Sequence, residues 1–168
     1  SALGKRLNVA LASKVQELSK YRSEFFGRLR SLLGNRSGIR IVGDRFVFQS
    51  EVLFEKGEAR LGSAGSEQLD KLASTLLSIS SEIPKEIDWV LRIDGHTDND
   101  PISTSEYPSN WELSADRAIS VLKYLIAAGL PETRLVAAGF GEYHPIDKRS
   151  DEIGKRRNRR IELKLTQR

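Results

Sequence analysis

The chain of 168 residues is 39% hydrophobic and 30% charged, with a formal net charge of +4, which is ordinary for a soluble globular protein. Its length fits one domain with a real core, and none of its apolar runs approaches the ~20 residues of a membrane span. The absence of Cys excludes disulfides and thiolate metal sites. Because Met is also absent, even at position 1, we expect a fragment whose signal or membrane anchor lies upstream.

Residues 1–36 predict one long connector helix. Apolar side chains recur in it with heptad spacing, at Leu11, Val15, Leu18, Phe25, Leu29 and Leu32. Asn8 and Arg22 interrupt this apolar seam, and Gly34 and Gly38 bound the helix. Two interpretations remain open: the helix packs on its own domain, or it forms a short parallel coiled coil that joins two copies in a homodimer.

Residues 39–168 alternate between strand-like and helix-like patterns. The strand-like segments are 39–42, 45–54, 89–94, 134–139 and 159–165, and the helix-like segments are 67–79 and 110–128. Gly129 and Pro131 end the second helix. This order predicts an α/β (α+β) two-layer sandwich, in which helices cover one face of a mixed sheet of about four strands. We therefore predict a single folded domain over residues 39–168.

The loop DGHTDNDPISTSEYPSNWELSADRA (residues 94–118) joins a strand-like segment to the second helix. Ser109 and Glu112 fit a capping box at the start of that helix. Steps of four residues from Leu113 reach Arg117 and then Val121, so Arg117 interrupts an apolar row. A guanidinium there needs a partner, because Arg keeps its proton and a buried unpaired charge costs several kcal/mol.

Asp98 lies just past the end of the strand-like segment, where a turn can bring it near Arg117. Two interpretations remain open here as well. Arg117 forms a structural ion pair or extends to solvent, or a ligand lies between the two side chains. Such a ligand needs a carboxylate for the guanidinium and an ammonium for Asp98, and a zwitterionic amino-acid group supplies both.

Four segments resemble the OmpA-like peptidoglycan-binding domain, namely DGHTDN, SNWELSADRAISVLKYL, LVAAGFGEYHP and RRNRRIEL. The family includes OmpA C-terminal domains, peptidoglycan-associated lipoproteins and the flagellar stator protein MotB, and the loop DPISTSEYPSNWELS is most similar to the MotB-type branch. The resemblance spans roughly residues 48–165 and implies an OmpA-C-like fold. It also implies that Asp98 and Arg117 hold the diaminopimelate of the stem peptide, with Thr97, Asn99 and Asn110 beside the same cleft.

The resemblance further implies a non-catalytic, periplasmic module that anchors an envelope protein of a Gram-negative bacterium to peptidoglycan. The connector helix is similar to those of membrane-anchored members, so we expect a tether to the inner membrane upstream. Stator members carry a transmembrane helix with a proton-carrying Asp, and nothing in this chain corresponds to it. The sequence therefore gives no support for stator activity, and the parent complex, whether a stator, a transport system or another envelope system, stays open.

Residues 148–160 (KRSDEIGKRRNRR) carry seven Lys and Arg side chains against two acidic ones. Such a run can bind an anionic polymer. However, the alternation in the following RIELKL is typical of a half-buried strand, and the run contains no aromatic side chain to stack on bases. We therefore interpret part of it as a solvated strand face and predict no nucleic-acid binding.

A peptidoglycan glycosidase is the enzymatic alternative, because glycoside hydrolysis uses two carboxyl groups and one of them needs a raised pKa. Asp98 with Glu106 or Glu112 could supply the pair, although capping already engages Glu112. The only two His residues, His96 and His144, lack HExxH-like spacing, so we predict no metal. The glycines of GFGE lack the rest of a phosphate-binding loop, so we predict no cofactor.

Overall fold

A computed structural model describes residues 1–34 and 36–168, and for residues 10–15 it describes the backbone only. The strands are β1 Ile39–Val42, β2 Arg45–Gln49, β3 Trp89–His96, β4 Leu135–Gly139 and β5 Arg160–Gln167. They form one sheet in the order β1-β2-β5-β3-β4, in which only the β3–β4 pair is parallel among the described strands. The predicted mixed sheet is confirmed, but it has five strands rather than about four.

The helices are α1 Ala2–Leu33, α2 Ser50–Leu53, α3 Ser63–Ser80, α4 Asn110–Ala127 and α5 Glu152–Asn158. A short 3-10 helix, Glu132–Arg134, precedes β4. Within the described part of the chain, none of these helices is both long and apolar enough to cross a membrane.

Two predicted strand assignments were correct only in part. The segment predicted as a strand over residues 45–54 leaves the sheet after Gln49, because its second half forms the helical turn α2. The basic run over residues 148–160, interpreted in part as a solvated strand face, contains α5, and only its last residue, Arg160, lies in a strand, where it is buried rather than solvated. Asp151 starts α5 by accepting a hydrogen bond from the backbone N–H of Gly154 at 2.8 Å.

The core lies between one face of the sheet and the helices α1, α3 and α4. Side-chain alternation places Phe46, Leu163 and Ile93 in register on this covered face. Their neighbours Glu162 and Asp94 point to the opposite face. The sheet therefore separates an apolar core from a face that carries buried charged groups.

Among the side chains of α1 that the structure describes, those buried in the domain lie in its C-terminal half. Leu18, Phe25 and Leu29 are buried in the main core. Between them, Arg22 donates two hydrogen bonds to the carbonyl oxygen of Leu165 in β5, at 3.1 and 3.0 Å. These heptad positions thus contact the chain's own domain, as the first interpretation of the helix requires.

At the N-terminal end of α1 the described side chains are mostly exposed. Leu3 and Leu7 are 78% and 60% exposed. The heptad side chains of Leu11 and Val15 lie outside the described residues. Because most of the stability of a helix in a protein comes from tertiary packing of one face, the packing of the C-terminal half supports the whole element.

Candidate ligand-binding site

A cleft of about 730 Å³ opens at the end of β3. Its walls come from four places: α2 with the turn that follows it, the loop after β3, the first two turns of α4, and α5 with the residue that precedes β5. Four of the five predicted site residues line it, namely Thr97, Asp98, Asn110 and Arg117. The fifth, Asn99, is exposed and lies outside the lining.

Gly95 lets α4 pack close enough to β3 to form one wall of the cleft. A Cβ atom at Gly95 would lie 2.1 Å from the carbonyl oxygen of Ser114. Ser109 caps α4 by accepting from the N–H of Trp111 at 3.2 Å, and its hydroxyl donates to the carboxylate of Glu112. Ser109 therefore caps α4 where predicted, although its hydroxyl accepts from the second helical N–H rather than the third, and this cap sets the position of Asn110.

The loop after β3 is held by its own polar groups. Asp98 accepts a hydrogen bond from the N–H of Asp100 at 2.9 Å. The side-chain amide of Asn110 donates to the carbonyl oxygens of Asp98 and Asp100, at 3.4 and 3.0 Å. The Thr97 N–H donates to the carbonyl oxygen of Gly141 at 2.9 Å. These bonds fix the backbone on both sides of the Asp98 carboxylate.

Arg117 is 5% exposed at the floor of the cleft. Its Nε donates to the carbonyl oxygen of Glu58 at 2.8 Å, and its guanidinium carbon lies 5.3 Å from the ring centroid of Phe54. Burial lowers the pKa of Arg117, and the nearby negative charge of Glu51 opposes this effect. Among the described residues, no carboxylate forms an ion pair with the guanidinium, so the structural ion-pair interpretation does not account for Arg117.

Asp98 instead pairs with Arg159, the residue just before β5. Arg159 uses all three of its nitrogen atoms on carboxylates: Nη1 to Asp98 at 2.7 Å, Nε to Glu51 at 2.6 Å and Nη2 to Glu152 at 2.7 Å. Burial acts to lower the pKa of Arg159, but these three hydrogen bonds raise it above its ordinary value. Arg159 therefore joins α2, the loop after β3 and α5 at one side of the cleft.

Sequence reasoning missed Arg159 because it treated the basic run as a single feature. The signal was present in the alternation of the last strand. Ile161 and Leu163 face the core, so Arg159 two residues earlier has the same parity and points toward the helix side of the sheet. Arg159 could have been identified as a basic side chain on the helix-covered side of β5, at the same end of the sheet as Asp98.

The cleft carries both signs of charge. Its acidic lining residues are Glu51, Glu55, Asp98, Asp100 and Glu152, and its basic ones are Lys56, Arg117, Arg156 and Arg159. Pairing with Arg159 uses three of the carboxylates, whereas the buried guanidinium of Arg117 has no partner of opposite charge among the described residues. This arrangement suits a ligand that brings a carboxylate to the floor and an ammonium to the Asp98 side.

The basic run carries less free charge than its composition suggests. Five of its seven cations form ion pairs: Arg149 and Arg157 with Asp147, Lys155 with Asp100, Arg159 with Asp98, and Arg160 with Glu162. Internal pairing therefore leaves only part of the run to attract a polyanion.

The carboxyl groups considered for hydrolysis lie elsewhere. Glu106 and Glu112 are exposed and do not line the cleft. The hydrogen bond from Ser109 lowers the pKa of Glu112, which is the wrong direction for a general acid. Asp98 therefore has neither of the partners that the hydrolase hypothesis named.

Comparison with known proteins identifies the family of this chain. The profile of the OmpA family matches residues 53–159. Motility protein B of Bacillus subtilis is 35% identical over 118 residues, which make up 70% of this chain and 42% of that protein. The chain spans about half the length of the curated relatives it matches, with 46%, 42% and 57% of three of them covered.

Solved structures share the fold. A MotB-like protein from Desulfovibrio vulgaris has a TM-score of 0.78 and 26% identity, with 92% of this chain and 96% of that chain covered. The cell wall anchor of the T6SS from Pseudomonas aeruginosa has a TM-score of 0.65 and 28% identity, with 81% and 92% covered. These similarities confirm both the predicted fold class and the resemblance to the MotB-type branch.

Proposed function

The chain belongs to the OmpA family, and on this premise we propose that it is a non-catalytic module that binds peptidoglycan through the diaminopimelate of the stem peptide. In this role it anchors an envelope protein to the cell wall. The side chain of diaminopimelate ends in an ammonium and a carboxylate on one carbon atom, which is the zwitterion that the cleft suits.

The buried, unpaired guanidinium of Arg117 is the observation that carries the proposal. Desolvating a charge without a counterion costs several kcal/mol. Arg117 is desolvated in this way at the floor of the cleft, where a ligand's carboxylate could offset the cost. Its Nε is held by the Glu58 carbonyl, so the two terminal nitrogen atoms remain for a carboxylate, in the bidentate arrangement that guanidinium groups favour.

Asp98 provides the complementary charge. One of its oxygen atoms accepts from the Asp100 N–H and the other from Arg159, and a carboxylate has about four lone-pair positions. Enough acceptor capacity remains for the ligand's ammonium. Thr97 and Asn110 hold the loop on either side. Asn99, which was predicted beside the same cleft, is exposed outside its lining, and we propose that it contacts a part of the ligand that extends out of the cleft.

The N-terminal helix is the part of the chain that supports a role in tethering the domain to a membrane anchor. The N-terminal end of α1 exposes Leu3 and Leu7. We propose that this end links the module to an anchor in the inner membrane, with the domain in the periplasm, and that it pairs with a second copy in a homodimer. Related proteins described as periplasmic MotB domains and a cell wall anchor support this location.

Sedimentation with purified diaminopimelate-type sacculi tests the proposal. We expect the wild type to sediment with the wall and Asp98→Asn and Arg117→Ala to remain largely in the supernatant. Lys123→Ala is the matched control, because Lys123 is exposed on the same helix and does not line the cleft. Each variant is first checked for a cooperative unfolding transition.

Calorimetry with a free stem tripeptide that ends in diaminopimelate measures the site directly. Loss of a charged hydrogen-bond partner removes roughly 1.5–3 kcal/mol, or about 10- to 100-fold in affinity. A tripeptide that ends in lysine lacks the second carboxylate and should bind more weakly to the wild type but equally to Arg117→Ala. Equal affinity of the wild type for the two tripeptides would contradict the assignment of Arg117, and soluble fragments released from the sacculi would indicate the glycosidase instead.

A further inference from the structure

Two large aromatic side chains lie together on the surface next to the cleft. Trp111 and Tyr143 are 51% and 61% exposed. Their ring centroids are 5.0 Å apart and the ring planes differ by 28°, so the rings stack on each other. Single exposed apolar residues are common, but paired aromatic rings that remain more than half exposed are typical of binding surfaces.

The chain holds this pair on a rigid support. Gly141 has a φ of 63°, and a Cβ atom there would lie 3.4 Å from both Trp111 and Tyr143. The Gly141 N–H donates to the hydroxyl of Ser114 in α4 at 3.0 Å. A Cβ atom at Gly139 would lie 2.7 Å from the backbone of Ala115. The loop after β4 therefore rests directly on the first turns of α4.

The same contacts connect the aromatic pair to the cleft. The carbonyl oxygen of Gly141 accepts from the Thr97 N–H at 2.9 Å, beside Asp98. Asn110, the residue before Trp111, lines the cleft. Successive residues on a helix point about 100° apart, so the first turn of α4 presents one side chain to the cleft and the next to the aromatic pair.

We propose that Trp111 and Tyr143 form a second subsite, which packs against a pyranose ring of the glycan strand. This inference rests on the proposed binding of the stem peptide. The C–H groups on one face of a pyranose ring form an apolar surface that packs on an aromatic ring, while its polar substituents stay in water. In peptidoglycan the peptide is covalently attached to a sugar, so a stem peptide in the cleft brings the glycan close to this surface.

Because peptide and glycan are covalently linked, the aromatic pair would add a second contact on the same polymer to the contact made in the cleft. Two weak contacts on one polymer act together, because the second forms at the high local concentration that the first creates. A domain with both subsites distinguishes intact wall from free stem peptides, whereas the cleft alone does not.

Tryptophan fluorescence can test the subsite separately. The chain has two Trp residues, and Trp89 is only 3% exposed, so a change in emission on adding a polymer reports on Trp111. The probe is glycan strands stripped of stem peptides by an amidase. We expect a saturable change with the wild type and none with Trp111→Phe.

Affinity measurements complete the test. Trp111→Ala and Tyr143→Ala should each weaken binding to the stripped strands at least fivefold and leave the affinity for the free stem tripeptide within twofold. Ile153→Ser is the matched control, because Ile153 is another exposed apolar side chain, at 55%. It should bind both probes as the wild type does.

Three results would overturn the proposal: no response of the wild type to stripped strands, unchanged binding by both alanine variants, or an equal loss of tripeptide affinity. The last would show that the pair only supports the cleft. A fourth result, an equal emission change with single-stranded DNA, would also overturn the proposal, because it would show a general stacking surface. Asp98 and Arg117 do not contact the aromatic pair in the described structure, so the stripped-strand result can be read even if the proposed stem-peptide binding fails.

Discussion

Arg159 donates a hydrogen bond to Asp98 at 2.7 Å across 61 residues of sequence. The same guanidinium also holds Glu51 and Glu152, so the direction of the Asp98 carboxylate depends on a residue outside the predicted site. Arg159 is therefore a positioning residue for the proposed ammonium contact.

A double-mutant cycle separates positioning from direct contact. We expect Arg159→Gln to weaken stem-tripeptide binding about 10-fold, because Asp98 loses a charged partner. In an Asp98→Asn background the same change should have little further effect, since the carboxylate that it orients is gone. Calorimetry on all four proteins measures this coupling, and equal losses in both backgrounds would instead assign Arg159 a contact of its own with the ligand.

The stability of the domain should fall in acid because of His96. Its ring is 3% exposed and stacks on Phe140 at a centroid distance of 4.9 Å, and neither ring nitrogen has a hydrogen-bond partner among the described residues. Burial first, and then the charge of Arg160, lowers the pKa of His96 from 6.5 to about 3, although Glu162 opposes this. Below pH 6.5 the unfolded chain therefore binds a proton that the folded chain does not.

This contribution to stability is complete above pH 6.5 and is lost as the pH falls toward 3, at no more than about 1.4 kcal/mol per pH unit. His96→Phe, which keeps the stacking and removes the titration, should reduce that slope. Urea unfolding at a series of pH values measures it, and comparison with the wild type cancels the titration of other groups. Parallel pH profiles for the two proteins would contradict the role of His96.

Two glycine substitutions should have opposite effects. Gly95→Ala places a Cβ atom 2.1 Å from a backbone oxygen of α4, so we expect a loss of at least 3 kcal/mol and a weakened cleft. Gly27→Ala in α1 meets no atom within 4 Å and should gain about 0.5–1 kcal/mol from its higher helix propensity. Chemical denaturation of both variants gives the comparison, and a neutral Gly95→Ala would show that β3 and α4 can separate at no cost.

The two halves of α1 should respond differently to substitution. Phe25 is fully buried, so Phe25→Ala should cost about 3–5 kcal/mol. Leu7 is 60% exposed, so Leu7→Ala should change the stability of a monomer by no more than about 0.5 kcal/mol. A large, concentration-dependent loss for Leu7→Ala would place Leu7 in an interface between copies, and sedimentation velocity would then detect the dimer.

The fold class and the meeting of Asp98 with Arg117 at one cleft could be predicted from local patterns, whereas Thr97 and Asn110 were expected there only because of the resemblance to the OmpA-like domain. The capping box at Ser109 fixed the start of α4, and four-residue steps fixed the direction of Arg117. The turn α2 was not predicted because four residues are too few to show a helical period. The helix α5 was not predicted because it has few apolar residues, so its sequence shows mainly a run of basic side chains. Asn99 shows the limit of a motif, since its position beside Asp98 did not put it in the lining.

Arg159 and the aromatic pair were harder to foresee for another reason. Each depends on contacts between segments that lie far apart in the chain, such as Glu51 with Arg159 or Trp111 with Tyr143. Local patterns do not contain such distances. The register of β5 against β2 brings Arg159 close to Glu51. The packing of the loop after β4 on α4 brings Tyr143 against Trp111.

The strand β5 has a mechanical consequence for an anchor. Its first residue follows Arg159, which lines the cleft, and near its other end Arg22 of α1 donates hydrogen bonds to the carbonyl oxygen of Leu165. A pull between the wall and the N-terminal helix would therefore load β5 along its length. Because β2 and β3 both pair with it in antiparallel fashion, the force acts in shear on many hydrogen bonds at once rather than unzipping them one at a time.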